Sequence, residues 1–140
     1  MSTLKVETIQ DTNGANPSTA EQMSKGRAKA WVNFDGEFGT SPFTTANGGI
    51  RSAFNVSSVT DNGTGDYTVT FSSAMPDANY AVALSIKEDT TDTPGSGARP
   101  MIRRGAANNY STTSVRIINS NVSSGAGVDV MIFNIIIFGD

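Results

Sequence analysis

The 140-residue chain has no cysteine and no histidine. Without cysteine there are no disulfides and no thiolate chemistry, and the redox compartment cannot be read. Without histidine the commonest general base and the commonest transition-metal ligand are gone, so zinc, iron and copper sites are not expected. Charge is sparse as well: 16% of residues are charged, with a net charge of −3, against roughly 25% charged in typical globular chains. The only adjacent basic pair is Arg103-Arg104, which gives nucleic-acid binding little electrostatic support. Apolar runs such as Ile135 to Phe138 (IIIF) fall far short of the ~20 residues a membrane helix needs. No charged-then-apolar leader follows Met1, so neither a signal peptide nor membrane insertion is expected.

What the chain has in abundance is serine, threonine, asparagine and glycine, together 58 of 140 residues. That is the makeup of short strands joined by polar turns, and not of a helical bundle rich in Leu, Ala, Glu and Lys. A chain of this length buries roughly 68–70% of its unfolded surface, enough for a core without covalent staples. Residues 1–28 are poor in apolar side chains. They offer a two-sided strand signal around Leu4, Val6 and Ile9, a turn-rich linker over 11–19, and Ser18 with Glu21 as a capping box for a helix over 19–25. Such a segment is expected to be an arm that docks elsewhere through Leu4, Val6 and Ile9.

The body, residues 29–140, reads as strands and turns. Trp31, Val32 and Phe34 open it, a long loop over 35–49 follows, and residues 50–59 resume as one extended stretch. VTDNGTGDYTVTF (residues 59–71) poses a chemical question, because an acidic, glycine-rich loop can hold calcium or phosphate. Counted from Asp61, the calcium-loop offsets fall on Gly63 and Gly65, and position twelve is Ser72, where a Glu is required. A phosphate loop needs a Lys and a following helix, and neither is present. A β-hairpin turn is the expected reading. Strands are also expected at 80–86, 101–104 and 112–118, with turns at 75–79 and 123–127.

The acidic tract Lys87 to Asp92 offers three carboxylates in five positions, which suit a hard cation or a carboxylate-only glycosidase in principle. No aromatic side chain stands beside them, and a solvated loop that protects a sheet edge is the simpler reading. No enzymatic activity and no cofactor are expected. Four Asn-x-Ser/Thr triplets, beginning at Asn55, Asn62, Asn109 and Asn121, carry little weight without a secretion signal. Phe38, Phe43 and Tyr110, with Asn108 and Asn109, lie in polar loops. They are candidates for contact with a receptor protein or a surface glycan.

The last strand carries the most information. Nine of eleven side chains in VDVMIFNIIIF (residues 128–138) are apolar, and the oily positions fall on both faces. A sheet with one wet face would alternate cleanly, so a second cover is needed. A neighbouring copy is the expected one, with Val130, Met131, Ile132, Phe133, Ile135 and Ile137 as the interface. A strand covered instead by the arm or the 35–49 loop is the alternative.

IRSAFNVSSVTDNGTGDYTVTFSSAMPDANYAV (residues 50–82), KAWVNFDG (29–36) and the opening STLKVETIQ (2–10) resemble a module of tail fibres and other tail-associated virion proteins of bacteriophages, especially phages of cyanobacteria. Residues 87–127 are the least matched. The resemblance implies a β-rich domain, usually a homotrimer, mounted on the virion by its N-terminal region, and it brings no catalytic residues. No shaft repeat is visible, which leaves a short fibre tip, a collar or neck appendage, or a capsid decoration. The combined expectation is an all-β chain: an antiparallel, jelly-roll-like β-sandwich over 29–140, with an anchoring arm over 1–28. Its expected partners are its own copies, a tail, neck or baseplate protein, and a host surface glycan or protein. A lectin-like carbohydrate-binding module is the competing reading.

Overall fold

The computed structural model describes residues 2, 5–10, 12–15, 17–87, 97–102 and 109–139. The described chain is mainly β, with antiparallel pairing throughout and one short helix. Among the described residues, strands β1 (Thr8–Ile9) and β2 (Ser18–Thr19) pair only with each other. Helix α1 (Ala20–Gly26) follows at once. Its capping box lies one residue later than the sequence suggested. The Thr19 hydroxyl accepts from the Gln22 amide at 3.1 Å, and Gln22 Oε1 accepts from the Thr19 amide at 2.9 Å. Gln serves at this position as well as Glu, so Thr19 and Gln22 displace Ser18 and Glu21. No residue of α1 is buried.

The body forms two four-stranded sheets. The first has the order β4 (Ile50–Phe54), β3 (Ala28–Phe34), β10 (Ile132–Phe138), β7 (Ala81–Lys87). The second has the order β5 (Val56–Gly63), β6 (Asp66–Phe71), β9 (Ser114–Asn121), β8 (Ala98–Ile102). Alternation in the sequence decides which side chains turn inward. Ala30, Val32 and Phe34 from the first sheet meet Tyr67, Val69 and Phe71 from the second in one buried cluster. The ring of Phe34 lies 5.2 Å from those of both Tyr67 and Phe133. Each such ring or branched aliphatic contributes roughly 1.5–3 kcal/mol through burial.

Residues 50–59 are not one strand. Asn55 adopts φ 53 and sends β4 and β5 into different sheets. Asparagine tolerates this left-handed conformation better than most residues, and its amide secures the corner. Asn55 Nδ2 donates to the carbonyls of Lys29 and Ser73 at 3.1 and 3.2 Å, and Oδ1 accepts from the Ser73 amide at 2.7 Å. The loop of VTDNGTGDYTVTF is shorter than its glycine content suggested. The β5–β6 ladder runs to the Gly63–Asp66 pair, leaving Thr64 and Gly65 as the connection, with Gly65 at φ 69.

Candidate functional site

Residues 128–131 leave the ladder, and β10 starts at Ile132. Within β10 the two oily faces part cleanly. Phe133, Ile135 and Ile137 point inward and are 0–1% exposed. Ile136 and Phe138 point outward and are 41% and 37% exposed. This corrects the expected interface. Val130, Phe133, Ile135 and Ile137 fill the core of their own chain and have no surface left for a second copy. Met131 is exposed and Ile132 half-buried, so they alone of the six expected residues reach the surface. Ile136 and Phe138 belong to the outward set. The period-2 pattern held that information, but its phase depended on where the strand begins.

The outward side of the first sheet is ordered in rows by its register. One row is Phe54–Trp31–Ile136–Ala83. The next is Ser52–Asn33–Asn134–Ser85. Phe138 opposite Ala81, and Ile132 opposite Lys87, lie at the two ends. Phe54 is 54% exposed. A shallow groove of about 320 Å³ lies among Trp31, Asn33, Ser85, Asn134 and Ile136. No formal charge occupies the two central rows. Charges stay at the margins, as Lys87 and the Asp35–Arg51 ion pair at 2.8 Å.

The outward side of the second sheet is different. It presents Ser58–Thr70–Ser114 and Thr60–Thr68–Arg116. Arg116 also grips Asp66 in a two-pronged ion pair at 2.8 and 3.0 Å. A threonine-rich, ion-paired face suits water, whereas large half-exposed aromatics side by side make the first sheet's outward side the candidate contact surface. The sequence had singled out the strand but not this sheet face, because Trp31 and Phe54 become neighbours of Ile136 only through pairing.

The other expected contacts scatter. Phe43 is fully buried; its backbone pairs with Val59, and its ring packs 6.0 Å from Phe34 and 6.2 Å from Tyr67. It is a core residue, which corrects its expected receptor role. Phe38 is half-buried against it at 5.8 Å. Tyr110 is exposed and leans on Tyr80 at 5.2 Å, and the Asn109 carbonyl accepts the Arg116 amide at 2.9 Å. Val6 and Ile9 of the arm are exposed. Leu4, Asn108, the Arg103-Arg104 pair and residues 88–92 of the acidic tract lie outside the described residues.

One buried polar cluster ties loops together. The Tyr67 hydroxyl lies 2.5 Å from Asp129 Oδ1 and 3.0 Å from the Gly36 carbonyl, and its single proton goes to the charged acceptor. Asp129 Oδ1 also accepts the Gly65 amide at 2.7 Å. Burial, then the bond to Asp129 and that residue's charge, then Asp61 and Glu37, push the Tyr67 hydroxyl well above the usual tyrosine range. This raises rather than lowers the barrier to losing the proton, so Tyr67 is fitted to hold residues 127–130 against the β5–β6 turn. Among the described residues no three carboxylates gather to hold a metal ion, and no helix is long and apolar enough to cross a membrane. Comparison with family models, with curated proteins and with solved structures finds no match.

Proposed function

We propose that the chain is a structural protein of a bacteriophage virion, a short tail-fibre or tail-tip appendage that works as a homo-oligomer and contributes to host attachment. In this reading the two sheets are the layers of a sandwich, the expected oligomer is a trimer, and the arm over 1–28 fixes it to a tail, neck or baseplate protein. The virion assignment rests on the sequence resemblance of residues 2–10, 29–36 and 50–82. The observation that carries self-association is the outward face of the first sheet, with Trp31, Phe54, Ile136 and Phe138 uncovered. Further copies of the chain, converging on a shared threefold axis, are the occupants it suits. Charge is absent from its central rows, so the face can meet itself without setting like charges together. It also carries both projections, such as Phe54, and a groove beside Trp31 that can receive them.

The test uses the single tryptophan. Light scattering should give one oligomeric mass at micromolar concentration, and Trp31 emission should shift to the red as dilution separates the copies. Ile136→Lys should give a folded monomer with red-shifted emission at every concentration. A wild-type monomer whose Trp31 reports a wet environment throughout overturns self-association. A monomer that binds host polysaccharide through Trp31 would assign the face to a sugar instead. Labelling of intact particles with an antibody to the chain tests the virion assignment separately.

A further inference from the structure

The apolar face is crossed by one polar row. Asn33 Nδ2 donates to Asn134 Oδ1 at 2.6 Å, and Asn134 Nδ2 donates on to Ser85 Oγ at 3.3 Å. The chain of bonds runs one way, so its first acceptor has no donor: Asn33 Oδ1 is buried and unpartnered. Among charged, hydrated neighbours such a row would need no explanation. Here it borders Trp31 and Ile136 on the face read above as the contact between copies. We propose that the Asn33–Asn134–Ser85 row is the register element of that contact. The row rests on the oligomeric reading and names what sets its geometry.

Amides and hydroxyls both donate and accept. A row of them can therefore satisfy an identical row from a second copy, including the orphaned Asn33 oxygen once the amide turns about its broad terminal torsion. Sliding one copy by a single row, about 6.7 Å along the strands, would set these amides against Trp31 and Ile136. Dry, unpaired amides are strongly disfavoured. Apolar neighbours alone do not discriminate between such positions, because grease meets grease in any register. One buried polar layer that selects a single register and stoichiometry while weakening the contact is a known use of asparagine between helices. The same physics holds between sheets.

The experiment replaces the row with apolar side chains that favour strands: Asn33→Val with Asn134→Val, and Ser85→Ala as a third change. Mass distribution and dissociation midpoint are read by sedimentation across a dilution series. The expected result is a midpoint lowered about tenfold, together with a spread of masses in place of one. A single unchanged mass, with a midpoint within about twofold of wild type, overturns the register role while leaving self-association standing. A wild-type monomer removes both. If the variant does not fold, the side-chain amide protons of Asn33 and Asn134 in labelled wild-type protein decide. Exchange with water slowed in the oligomer relative to the diluted chain supports the proposal, and equal exchange in both overturns it.

Discussion

Asn55 does two jobs in one residue, holding φ 53 and satisfying three backbone partners. Substitutions separate them. Asn55→Gly keeps the conformation and loses the bonds, at a cost of about 1 kcal/mol. Asn55→Val loses both and forces a β-branched residue into a left-handed well, for a cost of about 2–4 kcal/mol. Urea midpoints of the two variants check the ordering, and equal losses would mean that the corner is held by something other than its torsion. Tyr80 offers a pH test. Burial pushes its hydroxyl up to about 12, with the nearby Tyr110 adding and a Ser111 backbone bond opposing. In the unfolded chain a tyrosine ionises near 10. The folded state therefore holds a proton that the unfolded state loses, and stability falls as pH rises from about 10 toward 12. Tyr67 shifts the same way. Thermal melts from pH 8 to 12 should show a fall beginning near pH 10 that is shallower in Tyr80→Phe. No change in slope would remove Tyr80 as a cause.

At the scale of elements, β10 has one inward and one outward ladder of similar grease, and adjacent isoleucines on it should behave oppositely. Ile135→Ala removes a buried side chain (1% exposed) and should lower unfolding stability by about 2–5 kcal/mol. Ile136→Ala trims an outward one and should leave the isolated fold within about 1 kcal/mol while loosening association. Denaturation at low concentration and light scattering at high concentration read the two effects separately. If both variants lose stability equally in the dilute chain, the outward position is covered from within. That Ile135 and Ile136 take opposite faces was legible in the sequence, though not which of them turns inward, and so were the all-β class, a strand through Trp31 and Val32, and the hairpin at Gly63 and Gly65. Three things were not. The break at Asn55 was hidden because a single left-handed asparagine leaves the alternation of its neighbours intact. Phe43 read as a loop residue because its burial comes from a pairing with Val59, distant in sequence. The row Ser52–Asn33–Asn134–Ser85 joins four strands, so no local window contains it. Asn134 is one of two polar residues in the stretch 128–138, and its meaning came only from the partner opposite.

For the molecule as a whole, the division between arm and body makes a separable prediction. Among the described residues strands β1 and β2 pair only with one another, α1 has no fully buried residue, and its Glu21–Lys25 pair is solvent-exposed at 3.0 Å. An exposed i,i+4 pair is worth only about 0.3–0.5 kcal/mol, and a seven-residue helix has little stability of its own. The body, in contrast, holds the buried cluster of the described residues, from Ala30 to Ile137. Deleting residues 1–26 should therefore leave the melting temperature within about 2 °C of the full chain, since a shift of several degrees would need a loss of ~1 kcal/mol or more. The oligomeric mass should survive too, because Trp31, Phe54, Ile136 and Phe138 all remain. On the proposed virion role, what the truncation should lose is attachment: the shortened protein should compete poorly with full-length chain for incorporation into particles, as should a full-length Val6→Asp, Ile9→Asp double variant. A truncated chain that melts much earlier, or that falls apart into monomers, would show that the arm braces the body or the contact between copies. A truncated chain that still joins the particle would place the anchor elsewhere on the molecule.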